Sequence, residues 1–287
     1  MDLLKDLEME ELCYRQGTNT TIYKALDKEQ NVKYIVKQID LTNLSEKRIN
    51  NAMYEAEFHQ KHIQHPNLVK YIGSYRDKDQ LIIILEYANR GDLAAFITQK
   101  AYNNEVLEEN MIWYILICGM DALRYLHKNN VAHRDIKPDN FFLHEVEGRL
   151  QLKIGDLGFG KDLQKQLVTM VGAWECRAPE MYSQSSYSVE VDYWAMGIVL
   201  YVMLAFQFPF MRNANTSKEE QRIKLSIMQK ELPEIETEFE QLKWIMKQLT
   251  IKDFKKRMNS QQFFQLDVVK EKIKQIQGEF DVGHLVE

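Results

Sequence analysis

The spacing of apolar residues changes once along the chain, and that change constrains the fold. Up to about residue 90, the runs TIYKAL, YIVKQI, LVKYIGSY and LIIILEY are short, rich in Ile, Val and Tyr, and separated by charged turns. Such runs predict strands. One helical stretch, from about Ser45 to Ile63, interrupts them and opens on Ser45 at an N-cap position. From Asp92 onward the spacing is helical, as in ENMIWYILICGMDALRYLHK, and three more helix-like stretches follow Val189. A β-rich first third and an α-rich remainder predict an α+β chain of two lobes, joined near Ala88–Gly91.

A chain of 287 residues, 45% hydrophobic and 28% charged, has the length and composition of a globular protein with a sizeable core. Its 37 basic and 42 acidic side chains leave a net charge of −5, so no overall basic field draws nucleic acid. Three dispersed cysteines without a CxxC pair argue against a disulfide framework and for a reducing, cytoplasmic setting. The opening MDLLKDLEMEEL lacks the profile of a signal peptide. The run WAMGIVLYVMLAFQFPF falls short of the roughly 20 residues a bilayer needs and ends at a proline, so it reads as a buried core helix. In the tail, Leu266, Val269, Ile273 and Ile276 share a helical face that is expected to pack on the body; a partner docking on this helix is the lesser reading.

The polar loop AHRDIKPDNFF follows the apolar 109–128 stretch, and reactive side chains commonly sit on loops held by a rigid scaffold. Asp135 and Asn140 lie five apart there, with Lys137 between them, and Asp156 follows in the turn IGDLGFG after LQLKI. A carboxylate and a carboxamide on neighbouring loops suit Mg²⁺, which takes few protein ligands plus phosphate oxygens. Asp135 then remains to orient a hydroxyl. Lys37 sits inside YIVKQI, where burying an ammonium is costly unless an anion meets it. His59, His62 and His65 recur at three-residue spacing, and a structural turn at HPN accounts for them better than a metal site.

Together these segments resemble the eukaryotic protein kinases, over about Met9 to Phe264. HRDIKPDN matches the catalytic loop, DLG the metal-binding DFG, and APE the end of the activation segment. VDYWAMG matches the helix that anchors the larger lobe, and KDFKKR supplies a late Arg. The resemblance implies a bilobal kinase fold: a β-rich lobe with one helix over about 9–87, a hinge at about 86–91, a mainly helical lobe over about 92–264, and a helical tail at 265–287. It implies ATP and Mg²⁺ as cofactors and a protein as substrate. Asp135 would accept the substrate hydroxyl proton, and Lys137 would neutralise charge on the phosphoryl group in flight; that lysine also favours the Ser/Thr type over the Tyr type. Asn140 and Asp156 would hold the metal, and Lys37 the α- and β-phosphates. Gly17, Ile22, Ile35, Glu86, Tyr87, Ala88, Asp92 and Phe142 would line the nucleotide. Glu55 would orient Lys37, with Glu57 as the alternative. Glu180 and Arg257 would pair to brace the activation segment, with Asp192 a structural anchor. Thr169 matches an activation-loop phosphosite that Arg134 could pair with. Asp92 and Asp139 favour basic substrates. GFGKDL and HPNLVKYIGSY look like the NIMA-related and autophagy-initiating branches.

Three departures keep a second reading open. In RQGTNTTIYKA only Gly17 remains of three glycines, with Arg15 and Thr20 in the other places, which should loosen the grip on phosphate. Ile35 replaces an Ala in the adenine pocket's roof, and Ala173 replaces a Thr that hydrogen-bonds the catalytic Asp and Lys. Leu157 for the DFG Phe is milder. The alternative is therefore a pseudokinase: the same fold acting as a scaffold, with little or no nucleotide binding.

Overall fold

The computed structural model describes residues 7–15, 20–42, 45–46, 49–50, 53, 63–157, 174–183, 188–210 and 217–285. They fall into two compact units, one ending at Ala88 and the other beginning at Asn89. Gly17, Glu55, Glu57, Thr169 and Ala173 lie outside the described residues.

The first unit is an antiparallel sheet of β1 (Leu7–Arg15), β2 (Thr20–Asp27), β3 (Val32–Asp40), β4 (Tyr71–Asp77) and β5 (Gln80–Glu86), in the order β1-β2-β3-β5-β4. Alternation along β3 and β5 divides its apolar residues between two faces. Ile39, Ile83 and Leu85 pack with Leu41, Ile49 and Tyr71, while Val36, Ile82 and Ile84 pack with Ala25 on the other face. β1 is an edge strand of sequence LEMEELCYR, so it shows little of the expected alternation, and Met9 and Leu12 stay exposed. Helix forms at Glu46, Ile49, Asn50 and Met53, with the Ser45 carbonyl accepting from Ile49 N–H at 3.1 Å. Ile63 itself is not helical, and the strand expected from Leu68 starts at Tyr71. His65 is the reason: its carbonyl accepts from Leu68 N–H and its Nδ1 from Asn67 N–H, both at 3.1 Å, closing a turn.

The second unit is built on α1 (Leu93–Tyr102), α2 (Glu109–Lys128), α3 (Glu180–Ser183), α4 (Glu190–Ala205), α5 (Ser217–Gln229), α6 (Glu240–Leu249), α7 (Ser260–Gln265) and α8 (Asp267–Ile276). A hairpin, β6 (Phe141–Val146) with β7 (Arg149–Ile154), interrupts the helices. Helix α4 carries the apolar run and is buried from Val191 to Met203. It ends at Phe206, whose φ of 55° closes the helix in the left-handed region, three residues before Pro209. Among the described residues no helix is long and apolar enough to cross a membrane.

Two glycines set how closely the central helices approach. A Cβ on Gly119 of α2 would sit 3.0 Å from Met196 Sδ, and one on Gly197 of α4 would sit 2.5 Å from Thr250 Cγ2. On α8, Val269, Ile273 and Ile276 are buried, and α8 lies against α2, where Lys272 Nζ is 3.5 Å from Glu109. The apolar face of this helix is thus packed on the body, as its spacing predicts.

Candidate active site

In the sheet unit, the register of β3 determines the surroundings of Lys37. It lies opposite Ile22 on β2 and Ile83 on β5, and alternation puts Ile35 and Ile39 on its own face. Lys37 is therefore a half-buried residue on an apolar face, a position that favours an anionic partner for its ammonium. Ile35 packs against the cluster containing Ile39, Tyr71 and Leu85, so its extra carbons fill the core of the sheet unit. Glu86 is tied to the residue just before β4: its Oε1 accepts from Lys70 N–H at 2.7 Å, and its own N–H donates to the Lys70 carbonyl at 2.9 Å. Tyr87 carries Lys24 Nζ 5.8 Å from its ring centre, and Ala88 closes the unit.

In the helical unit, the loop after α2 is held from beneath. Asp192, 1% exposed near the start of α4, accepts from Arg134 N–H through Oδ1 at 2.7 Å and from His133 N–H through Oδ2 at 2.8 Å. His127 Nε2 lies 2.8 Å from the same Oδ2, its Nδ1 lies 2.8 Å from Tyr193 Oη, and Tyr193 Oη lies 3.0 Å from Ser260 Oγ. Burial pushes the Asp192 carboxyl up, but the hydrogen bond and charge of His127 and the Arg134 amide outweigh it and hold the group below the ordinary 3.8. Those bonds keep Arg134 at φ 63°, a conformation that costs a non-glycine residue energy and persists only under such constraint.

His133 and Asn140 join this loop to the strand end that carries Asp156. The buried His133 ring lies between two backbone groups: Nε2 donates to the Gly155 carbonyl at 3.0 Å, and Nδ1 accepts from Asp135 N–H at 3.3 Å. This pairing fixes a neutral ring protonated at Nε2. Gly155 N–H in turn donates to the Asn140 carbonyl at 2.9 Å. Gly155 is pinned on both sides, and the next residue, Asp156, takes φ 63°.

Ile136 and Pro138 turn inward with His133 and Asn140, while Arg134 and Asp139 face solvent. Pro138 opens a single 3₁₀ turn, Pro138–Asn140, where its missing N–H costs nothing. Asn140 Nδ2 donates to the Asp135 carbonyl at 2.7 Å and to Asp135 Oδ2 at 3.0 Å, and Lys137 Nζ lies 3.5 Å from the same Oδ2. With its amide nitrogen committed to Asp135, Asn140 has Oδ1 as the atom to offer a cation. That oxygen and the Asp156 carboxylate are each hard oxygen donors of the kind Mg²⁺ accepts.

Further out, Asp92 caps α1, its Oδ1 accepting from Ala95 N–H at 2.8 Å, and it bridges to Phe142 on β6. The segment from Asn89 lies along β6 almost as a third strand. Arg90 N–H donates to the Leu143 carbonyl at 2.9 Å, Leu143 N–H to the Gly91 carbonyl at 2.8 Å, and Glu145 N–H to Asn89 Oδ1 at 2.8 Å. Glu180 and Arg257 meet in a buried bidentate pair at 2.7 and 3.0 Å. Arg257 also donates to the carbonyls of Ile251 and Glu190 and lies over the Trp194 ring.

His127, His133, Gly155 and Tyr193 escaped the sequence reading as supports of the site. The motif HRD contained His133, but nothing in its letters shows a ring clamped between two backbone groups.

The protein kinase domain family matches residues 15–269. The serine/threonine-protein kinase ULK3 of Homo sapiens is 31% identical over 207 residues, 71% of this chain and 43% of that protein. Its Xenopus laevis counterpart is 30% identical over 252 residues, 86% of this chain and 52% of that protein. The inhibitor of nuclear factor kappa-B kinase subunit alpha of Gallus gallus is 35% identical over 171 residues, 57% of this chain and 22% of that protein. The chain thus spans about half the length, or less, of these relatives. The family match covers most of the chain: the chain belongs to the protein kinase domain family.

Proposed function

We propose that the chain transfers the γ-phosphoryl group of Mg-ATP to serine or threonine hydroxyls of a protein. The observation that carries this reading is the Asp135 carboxylate held between Asn140 and Lys137, with Asp156 one residue past the pinned Gly155. The substrate oxygen forms a bond to the γ-phosphorus as the bridging bond to the β-phosphate breaks, ADP leaves, and the hydroxyl proton passes to Asp135. Lys137 offsets charge on the phosphoryl oxygens during transfer. Lys37 takes the α- and β-phosphates, its apolar surroundings on β3 strengthening that attraction. Asn140 and Asp156 would hold Mg²⁺, which would supply positive charge against the phosphates. Ile22, Ile35, Glu86, Tyr87, Ala88, Asp92 and Phe142 contribute to the nucleotide's surroundings. Asp92 and Asp139 favour basic residues near the target hydroxyl.

The test is label transfer from Mg-[γ-³²P]ATP to a generic basic protein, comparing wild type with Asp156→Asn. Label with wild type and none with the variant is the expected result. No label in either, after treatment with an upstream kinase, would make the chain a scaffold with a retained catalytic set. We further propose that phosphate on Thr169 pairs with Arg134 and raises activity. Thr169→Ala is then expected to abolish the gain in rate that an upstream kinase produces, and an unchanged gain would refute the switch. The cysteines support a cytoplasmic location in the same spirit: Cys118 and Cys176 are buried free thiols, as a reducing compartment permits.

A further inference from the structure

The match to the kinase family ends at residue 269, but the chain continues along the helical unit. After α8, Phe280 stacks on Tyr114 of α2 with ring centres 4.5 Å apart and planes 14° from parallel. Asp281 Oδ2 accepts from Gln151 Nε2 at 3.1 Å, Val282 is fully buried, and His284 Nε2 lies 3.2 Å from the buried Asp121 of α2. Glu279 accepts from Asn110 at the start of α2 at 3.0 Å. The segment 278–285 is therefore fastened to α2 at several points and to β7 at one.

What Tyr114 does with its hydroxyl makes this fastening consequential. Its Oη donates to the Leu150 carbonyl at 3.0 Å and accepts from Leu152 N–H at 2.9 Å. Burial, with Cys118 adding to it, pushes this phenol well above its usual range, so it stays protonated and can make both bonds. Leu150 and Leu152 lie two apart on β7, so a single hydroxyl takes one carbonyl and one amide of the edge that faces away from β6. The same hairpin begins directly after Asn140 and ends two residues before Asp156.

We propose that the segment 278–285 is a positioning strap for the metal ligands: Phe280 fixes Tyr114, Asp281 fixes Gln151, and through both the strap sets the hairpin from whose ends Asn140 and Asp156 project. This rests on the Mg-ATP reading above. Phe280, Asp281, Tyr114 and Gln151 are positioning residues, each acting through the hairpin backbone. Outer partners of metal ligands commonly alter metal affinity by about 10–100-fold, and the strap acts one contact further away, so the lower end of that range applies.

The test uses the 287-residue chain as wild type, Phe280→Ala, Asp281→Ala and Phe280→Tyr, with two readouts. One is amide hydrogen exchange. The other is Mn²⁺ binding in the presence of a non-hydrolysable ATP analogue, followed by electron paramagnetic resonance. Phe280→Ala is expected to speed exchange at Leu150–Ile154 and weaken Mn²⁺ binding, each about tenfold, while the α4 amides keep their protection. Asp281→Ala, whose side chain is not in the core, is expected to do the same to a smaller extent, and Phe280→Tyr to restore both values. Faster exchange throughout the helical unit, or a loosened hairpin with unchanged Mn²⁺ affinity, would reduce the strap to a structural brace and overturn the proposal. Wild type that binds Mn²⁺ and analogue but transfers no phosphate would defeat the kinase reading while leaving the strap to be judged by these titrations. Wild type that binds no Mn²⁺ would defeat both.

Discussion

At the scale of single residues, Asp192 links the most parts of the site. Its two oxygens serve two consecutive amides of the catalytic loop and the His127 ring. Asn in its place keeps one acceptor oxygen, leaving at least one buried donor unmatched, which costs about 1–3 kcal/mol at neutral pH. Because the folded-state carboxyl is held below 3.8, its stabilisation is present above that pH and is lost as pH falls through the folded value. Asp192→Asn is therefore expected to lower the urea midpoint at about pH 7, with the gap to wild type narrowing by about pH 3. A gap that stays constant between those two pH values would show that the carboxylate's charge is not what holds the loop. Asp135, Lys137, Asn140 and Asp156 stood out in the sequence because polar groups cluster there between apolar runs. The supports were harder to read for the opposite reason: Asp192 entered only through the family resemblance, and His133 acts on backbone groups, which leave no letters.

At the scale of elements, the helical unit depends on close approach. Gly197 lets α4 approach α6 so closely that a Cβ there would sit 2.5 Å from Thr250 Cγ2 and 3.0 Å from Leu249 Cβ. Gly197→Ala replaces a poor helix former with the best one, a local gain of about 1 kcal/mol. Overpacking typically costs about 1–3 kcal/mol and is expected to win here, because α4 is buried along its length and cannot swing outward. A lower melting temperature in calorimetry is the expected outcome, and a higher one would show that the two helices can separate cheaply. Apolar spacing announced helices such as α2 and α4 because each buries a broad face. It missed β1, an edge strand with three glutamates that buries little. The stretch from Asn89 to Asp92 was equally hidden: it pairs with β6 through its backbone, and Gly91 at φ 75° makes the turn.

At the scale of the whole molecule, nucleotide binding is expected to show as stabilisation. A ligand bound only by the folded state, at 100 times its dissociation constant, adds about 2.7 kcal/mol. Mg-ATP is accordingly expected to raise the melting temperature of the wild type, and Lys37→Met to remove most of that rise; equal shifts in both would dissociate Lys37 from the phosphates. Ile35 bears on the same question. The sequence placed it in the roof of a pocket, and it packs, partly buried, against the core of the sheet unit that holds Ile39 and Tyr71. The two-part organisation was readable because strand and helix periods differ so plainly on either side of Ala88. The strap was not, since Phe280 and Asp281 belong to no repeat that a periodicity could expose.

Among the described residues the β6–β7 hairpin has two strands, and a ribbon of two strands ordinarily offers both of its outer borders to any passing extended peptide. Here neither border is vacant along its middle: the chain's own Asn89–Asp92 lies along one, and the Tyr114 phenol sits in the other. The hairpin is thereby closed to strand addition from a second molecule, and a phenol achieves this with one side chain where another strand would take five or six residues. Losing that hydroxyl would leave a carbonyl and an amide in search of partners and would give the ribbon back a surface on which foreign chains could align.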